Sequence, residues 1–401
     1  METVTIQRIQ EGQVEQAVRR AVADVGGMSR YVASGVRVLI KPNLICARSW
    51  RTGTTVNPAV VEALAHLAWE AGAGDVLIGD GSGVGEDTNE VFKALGYDEM
   101  AHRCAARLVD LNQDPVEVDC PTGVVLKRIP ISRTALEADV LINVPMLKTH
   151  CQTIVTLSLK NMKGVVHSRG KRKAHFVGLE QAIVDLNRAI APHLIVVDGT
   201  VGQEGRGPAA GDAVEMNLII AGANRVAVDA VCCQIMDVDP ETVPVISLAS
   251  EAGLGPLALE EIVLKGQELE SVRRPFELPS FEMNPYEGVS LIEGIACSGC
   301  TGHVALALKE MEEDGQLTEV VKAIGHISIV YGADAPVPDT RSEDVCLYVG
   351  TCQRKSKNLG VWVPGCPAIE PIIQDALRDL AGLPIQNIDN WSVAADEFAS
   401  K

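Results

Sequence analysis

Four cysteines near the end of the chain have a spacing suited to chemistry: Cys297 and Cys300 in CSGC, Cys352 in VGTC and Cys366 in VPGCP. A Cys-x-x-Cys pair sets two thiolates on one turn of backbone, and two further cysteines on separate loops can close a tetrahedral set of sulfurs around one metal centre. Gly299, Gly350 and Gly365 stand beside these cysteines, and Pro367 follows the last. A backbone that wraps a bulky inorganic core needs residues without a Cβ. Structural zinc and a 4Fe-4S cubane both accept four sulfurs. Zinc ribbons pair two Cys-x-x-Cys knuckles, whereas one pair followed by two singles favours the iron-sulfur cluster. Reduced core thiols are the plainer alternative. That reading suits Cys104, Cys120, Cys232, Cys233 and Cys346, although Cys346, on the strand leading to Cys352, could ligate instead.

A second concentration of polar chemistry lies mid-chain in LKTHCQTIVTLSLKNMKGVV and the basic run RGKRKAH. Lys148, His150, Lys160, Asn161 and Lys163 fall close together, followed by His167, Arg169, Lys171, Arg172, Lys173 and His175, with no Asp or Glu from 151 to 176. In a chain of formal net charge −18 this points to a bound anion. A solvated basic face explains 169–173 equally well. It does not explain Lys148, Lys160 and Lys163, set among apolar residues where a lone ammonium is costly.

These groups need strands to position them. Residues 36–40 form an apolar β-branched run that ends in Lys41-Pro42-Asn43, and 76–78 form another that leads to Asp80 in GDGSGVG. The glycine spacing there is G-x-G-x-G, so it predicts a polar loop and not a dinucleotide fingerprint. Between these strands Asn57 and Pro58 open a helix through about 71. Further strands are expected at 124–131, 140–144, 193–197 and 214–221, with helices at 14–23 and 224–236. Such βαβ units predict a largely parallel sheet with its chemistry at the carboxyl ends of the strands. The Gly-rich loop GTVGQEGRGPAAGD adds Glu204 and Arg206. Asp229, on a helix, is expected to pair with Lys160 or Lys163.

Two resemblances extend this reading. CSGCTGH, VGTCQ and GVWVPGCPAIEPIIQDAL resemble the proximal-cluster module of nickel-iron hydrogenase small subunits and the related small subunit of respiratory complex I, with Ala368 where a second proline would stand. That resemblance implies one 4Fe-4S cluster at the loop edge of a flavodoxin-like sheet. IKPNL, TNPAVVEAL, GDGSG, VPMLKTH, TLSLKNMKG, GLEQAIVDLN, LIVVDGTVGQEGRGP and NRVAVDAV are together similar to the prokaryotic domain-of-unknown-function family three-sixty-two, over about 36–266. Its motif positions here are Lys41, Asn43, Lys148, His150, Lys160, Asn161, Lys163, Asp198, Glu204 and Asp229. The family implies an iron-sulfur protein and no particular reaction.

The expected fold class is α/β: a largely parallel-sheet domain over 1–272, a Pro-rich linker at 273–288, and a smaller flavodoxin-like α/β iron-sulfur domain over 289–401. In the last, strands are expected at 290–295, 326–331, 345–349 and 360–363. The acidic balance argues against nucleic acid, and no apolar run reaches bilayer length, so a cytoplasmic protein with no membrane segment is expected. Homo-oligomerisation is left open. The leading functional expectation is an iron-sulfur oxidoreductase passing electrons from one 4Fe-4S cluster to a small anionic substrate, supplied by a ferredoxin or another redox partner. His150 would be the acid/base, Lys148 and Lys160 would stabilise developing charge, and Lys41, Asn43, Asp80, Asn161, Lys163 and Glu204 would bind substrate. Cys46 and Cys151 are secondary candidates for a reactive thiol. An electron-transfer adaptor, and a non-redox isomerase or hydro-lyase with an open iron, are the alternatives.

Overall fold

Apolar runs alternating with amphipathic helices determine the first unit. The computed structural model describes residues 1–84, 86–209, 211–279, 286–296, 298–338 and 345–386, and the chain divides into two units, Met1–Ser280 and Phe281–Lys401. In chain order the first unit's strands are β1 (Glu2–Arg8), β2 (Arg37–Pro42), β3 (Asp75–Asp80), β4 (Arg107–Asp110), β5 (Pro115–Asp119), β6 (Arg128–Ser132), β7 (Val140–Val144), β8 (Met146–His150), β9 (Ile154–Val155), β10 (Leu194–Glu204), β11 (Asp212–Gly222) and β12 (Ile262–Gly266). Ten of them form one sheet in the order β12-β1-β11-β10-β7-β2-β3-β4, with β8 pairing β10 and β9. Strands β4, β3, β2, β7 and β10 run parallel, and β11 is antiparallel to β10 and β1. This is the mixed α/β, mostly parallel architecture that the sequence implies.

Side-chain alternation along these strands builds a core on each face. Leu39, Leu77, Leu141, Ile195 and Val197 enter one cluster, while Val38, Ile40, Val76, Ile78, Ile142 and Val196 enter the other. The helix Pro58–Glu70 starts as expected, with Asn57 Oδ1 accepting from the Ala59 N–H at 3.1 Å and Pro58 in its first turn. Helices Val14–Asp24 and Arg225–Ile235 also stand where the periodicity puts them.

The strand expected at 124–131 is reduced to β6. Buried Asp185 accepts the N–H groups of Val124, Val125 and Leu126 at 2.7–2.8 Å, which holds that stretch as a turn. The expected linker also begins as part of the first unit. Phe276 is buried in its core, and the Arg274 and Phe276 N–H groups donate to Ile235 O and Met236 O.

The second unit holds a four-stranded parallel sheet, β13 (Val289–Glu293), β14 (Ile327–Tyr331), β15 (Val345–Val349) and β16 (Val361–Val363), in chain order. It has the parallel layering of the flavodoxin-like expectation, without a reversal of strand order among the described residues. Helices Ser298–Glu313 and Glu370–Leu380 accompany it, and Val304, Leu308, Ile329, Leu347, Val363 and Ile373 share its core.

Candidate functional site

The carboxyl ends of β2, β3 and β7 carry the mid-chain chemistry, where an α/β sheet presents ligand-binding groups. Asp80 closes β3 and receives the Lys41 ammonium at 2.8 Å and the Leu44 N–H at 2.8 Å. Lys41 Nζ donates also to Pro42 O and Asn161 Oδ1, at 3.0 and 3.1 Å. Asn43 Nδ2 reaches the same Asn161 oxygen at 2.9 Å, while Asn161 Nδ2 donates to Asn143 Oδ1 at 2.7 Å. Lys148 Nζ donates to Asn43 Oδ1, Thr54 O and Pro208 O at 3.2, 2.7 and 3.0 Å. Lys171 Nζ binds Gly81 O, Ser82 O and Asn112 Oδ1 at 2.7–3.0 Å. The segments IKPN, GDGS, LKTH and SLKNMKG are thus interlocked side chain to backbone.

Carboxylates fix the turns that carry the cations. Asp229 does not pair with a lysine. Its two oxygens accept the Ser158 and Leu159 N–H groups at 2.7 and 2.9 Å, which opens the short helix Ser158–Asn161 and sets the direction of Lys160 and Asn161. Asp198 likewise accepts from the Asn57 and Thr200 N–H groups, at 2.7 and 2.8 Å. Burial pushes Asp229 up to about 8 and Asp198 up to about 6, and these N–H donors oppose it. Gly164 passes so near the Asp80–Lys41 pair that a Cβ there would overlap both Asp80 Oδ1 and Lys41 Nζ.

Five lysines therefore gather with His150 and His175 around the Lys41–Asp80 ion pair. Burial, with Lys160 as a like-charged neighbour, lowers Lys148 to about 7. Its three oxygen acceptors nevertheless call for all three ammonium protons, so the geometry supports the cation that burial disfavours. Burial lowers Lys160 and Lys171 to about 8 and takes Lys163 well below its ordinary value. His150 is held far below the usual imidazole range by burial and then by Lys160, Lys163 and Lys148, so it is neutral.

The polar hydrogens of this centre fall into two sets, those that protein groups take up and those without a partner among the described residues. Lys41, Lys148 and Lys171 are fully engaged by protein oxygens, and Lys163 Nζ lies 2.9 Å from His175 Nε2. Lys160 is half-buried and its ammonium makes no hydrogen bond among the described residues. His150 accepts the Gln152 and Thr153 N–H groups at Nδ1, 2.9 and 3.3 Å away, and its Nε2 has no partner among the described residues. The expected site residues Lys41, Asn43, Asp80, Lys148, Asn161 and Lys163 come together, but mainly as the cage. Glu204 does not join them: its carboxylate binds Arg274 at 3.2 Å and the Glu277 N–H at 3.0 Å. Asn143 and Lys171 complete the cage. An amide inside the apolar run VLINV is the sequence signal for Asn143. Lys171 faces inward because 170, 171 and 174 form the buried side of the helix Ser168–Val177, while Lys173 faces out.

In the second unit Cys297 lies outside the described residues. Cys300 is buried in the first turn of Ser298–Glu313, Cys352 is exposed and Cys366 half-buried. Their loops are clipped together: Gly350 N–H donates to Val363 O and Thr351 N–H to Gly365 O, both at 2.8 Å. Gly350 has φ +92°, and a Cβ there would stand 3.1 Å from Cys300 Sγ, so the cradle needs glycine. Among the described residues no three His, Cys, Asp or Glu side chains gather closely enough to hold one metal ion. Strand alternation along β15 packs Cys346 with Val330 and Tyr348, in a cluster separate from the one that holds Cys300.

No helix among the described residues is long and apolar enough to cross a membrane. The family model described as domain of unknown function (DUF362) matches residues 38–234. A thylakoid-associated protein of Synechocystis sp. is 31% identical over 286 residues, 68% of this chain and 88% of that one. Two solved structures share part of the outline: the lactate racemase apoprotein of Thermoanaerobacterium thermosaccharolyticum, with TM-score 0.39, 11% identity and coverage of 83% of this chain and 69% of that one, and a Thermotoga maritima protein, with TM-score 0.38, 14% identity and coverage of 82% and 72%.

Proposed function

Since the chain belongs to the DUF362 family, whose name assigns no reaction, we propose from its own residues that it is a soluble, cytoplasmic iron-sulfur oxidoreductase acting on a small anionic substrate. The observation that carries this reading is the burial of the cationic centre. Lys41, Lys148 and Lys171 are at most 5% exposed, and around them Lys160 and His150 Nε2 keep donors that no group among the described residues uses. Lysines spread on a flat rim would instead favour a docking adaptor. A centre offering N–H donors and positive charge suits a ligand that only accepts, such as a carboxylate or phosphate. Within the first unit, Lys160 binds and orients the anion, His150 donates to its oxygen, and the cage keeps both donors in place.

In the second unit, Cys297, Cys300, Cys352 and Cys366 would hold one 4Fe-4S cluster, in keeping with the hydrogenase-like motif order. When bound, such a cluster supplies one-electron transfer, and a ferredoxin or similar protein would be its donor. The test is iron and acid-labile sulfide content together with electron paramagnetic resonance of anaerobically prepared protein. About four irons per chain and a paramagnetic signal on reduction, quenched by the true substrate, support the reading. One zinc and no signal would remove it.

A further inference from the structure

The anion-site reading rests on which groups face the ligand; hydrogen bonding around them goes further and assigns their roles. His150 Nδ1 receives two backbone N–H groups, from Gln152 and Thr153. A ring nitrogen that accepts two N–H bonds carries no proton, so the neutral ring must bear its hydrogen on Nε2. That nitrogen therefore offers no lone pair to a substrate proton. A second proton would have to enter at Nδ1 against both N–H groups and against the surrounding cations. Lys160, in contrast, has three N–H positions and no hydrogen-bonding partner among the described residues.

We propose that Lys160 Nζ is the proton-exchanging group of this site, and that His150 is a fixed neutral donor which meets the negative charge on the ligand oxygen. One proton passes between Lys160 and the ligand: the amine becomes ammonium as the ligand loses a proton, or the reverse. The charge left on the ligand oxygen is met by the Nε2–H of His150, whose own protonation does not change. This reverses the roles that residue type alone assigns, with histidine as acid/base and lysine as electrostatic support.

The surroundings of Lys160 agree. Lys41 on β2, Lys148 and His150 on β8, and Cys151 and Lys163 in the adjoining turns interact electrostatically with it, and the carboxylates of this centre are committed. Asp80 is paired with Lys41, and Asp229, near Arg225 on Arg225–Ile235, is held by the Ser158 and Leu159 N–H groups. Lys160 is half-buried, so an amine reagent can reach it, whereas Lys148 and Lys171 are enclosed.

The experiment uses the full chain in two measurements. Competitive acetylation across a pH series, read by mass spectrometry, gives each lysine's reactivity, and 15N resonances of labelled histidine give the His150 tautomer. The expected result is half-maximal labelling of Lys160 near pH 8, with Lys148 and Lys171 slower by roughly tenfold or more. His150 should show a protonated Nε2 and a bare Nδ1, constant from about pH 6 to about 9. A histidine that takes up a second proton in that range, or Lys148 reacting as fast as Lys160, overturns the assignment. Inorganic phosphate added to the same labelling should protect Lys160. If it does not, while titration and tautomer hold, the anion reading fails and the assignment of roles stands.

Discussion

The lysine centre of the first unit and the cysteine loops of the second are built on opposite principles. Buried ammonium groups are costly without partners, so the lysine centre is completed by the protein itself: nine named oxygens, from Asp80, Asn161, Pro42, Asn43, Thr54, Pro208, Gly81, Ser82 and Asn112, hold Lys41, Lys148 and Lys171. Thiols carry no such cost when neutral. The cysteine loops are ordered by backbone clips at Gly350, Thr351 and Gly365. The difference teaches that buried charge must be met by protein oxygens, whereas neutral thiols impose no such demand.

The largest expected effect separates the two directly. Asp80→Ala leaves the Lys41 ammonium buried and unpaired, so urea unfolding of the first unit should lose ~3–5 kcal/mol, while Cys366→Ala leaves that transition unchanged and abolishes iron retention. Equal losses from both variants would erase the distinction. Next is Asp229→Ala, which strips two buried N–H groups at Ser158 and Leu159 of their acceptor. A loss of ~2–3 kcal/mol is expected, together with weaker anion binding because Lys160 and Asn161 lose their fixed direction. Normal anion affinity in a folded Asp229→Ala would show that this cap does not position the site.

Within the cage, Lys148→Met should destabilise by ~1–3 kcal/mol, because Asn43 Oδ1, Thr54 O and Pro208 O lose their donor. Lys160→Met should leave stability unchanged or slightly raised, since it removes a like charge without removing a hydrogen bond. Thermal denaturation distinguishes the two, and similar losses would contradict the division into cage and ligand-facing groups.

A further effect is in pH. Lys160 and Lys171 titrate near 8 when folded and near 10.5 when unfolded. Between those values the unfolded chain binds more protons, so their contribution to stability rises with pH across that window. Urea midpoints of wild type and Lys171→Met should diverge there, with the steeper rise in wild type. Parallel profiles would mean that Lys171 keeps an ordinary pKa.

Much of this centre is legible in the sequence, and the limits are physical. β-branched runs that end in Lys41-Pro42-Asn43 and Asp80-Gly81 place side chains at strand ends, because strand period is a local property. Lys148, Lys160 and Lys163 are recognisable as unusual among apolar neighbours. Their division of labour is not, since it depends on carbonyls of Thr54, Pro208, Gly81 and Ser82 brought from distant turns. Glu204 resembles a ligand in its Gly-rich loop, yet its partner Arg274 lies 70 residues away. The reading of 169–173 as one basic face fails at Lys171 alone, because helical period turns that residue inward. At the cysteine loops the motif order is plain, but Cys297 lies outside the described residues.

The most direct test of the central claim is calorimetric titration of the full chain with inorganic phosphate and short dicarboxylates at neutral pH. A preformed cationic centre predicts saturable binding at one site per chain. Binding should fall at least tenfold in Lys160→Met, weaken as pH rises through about 8, and persist unchanged in Cys366→Ala; a tenfold loss corresponds to ~1.4 kcal/mol. Undiminished binding in Lys160→Met, or none in the wild-type chain, would contradict it.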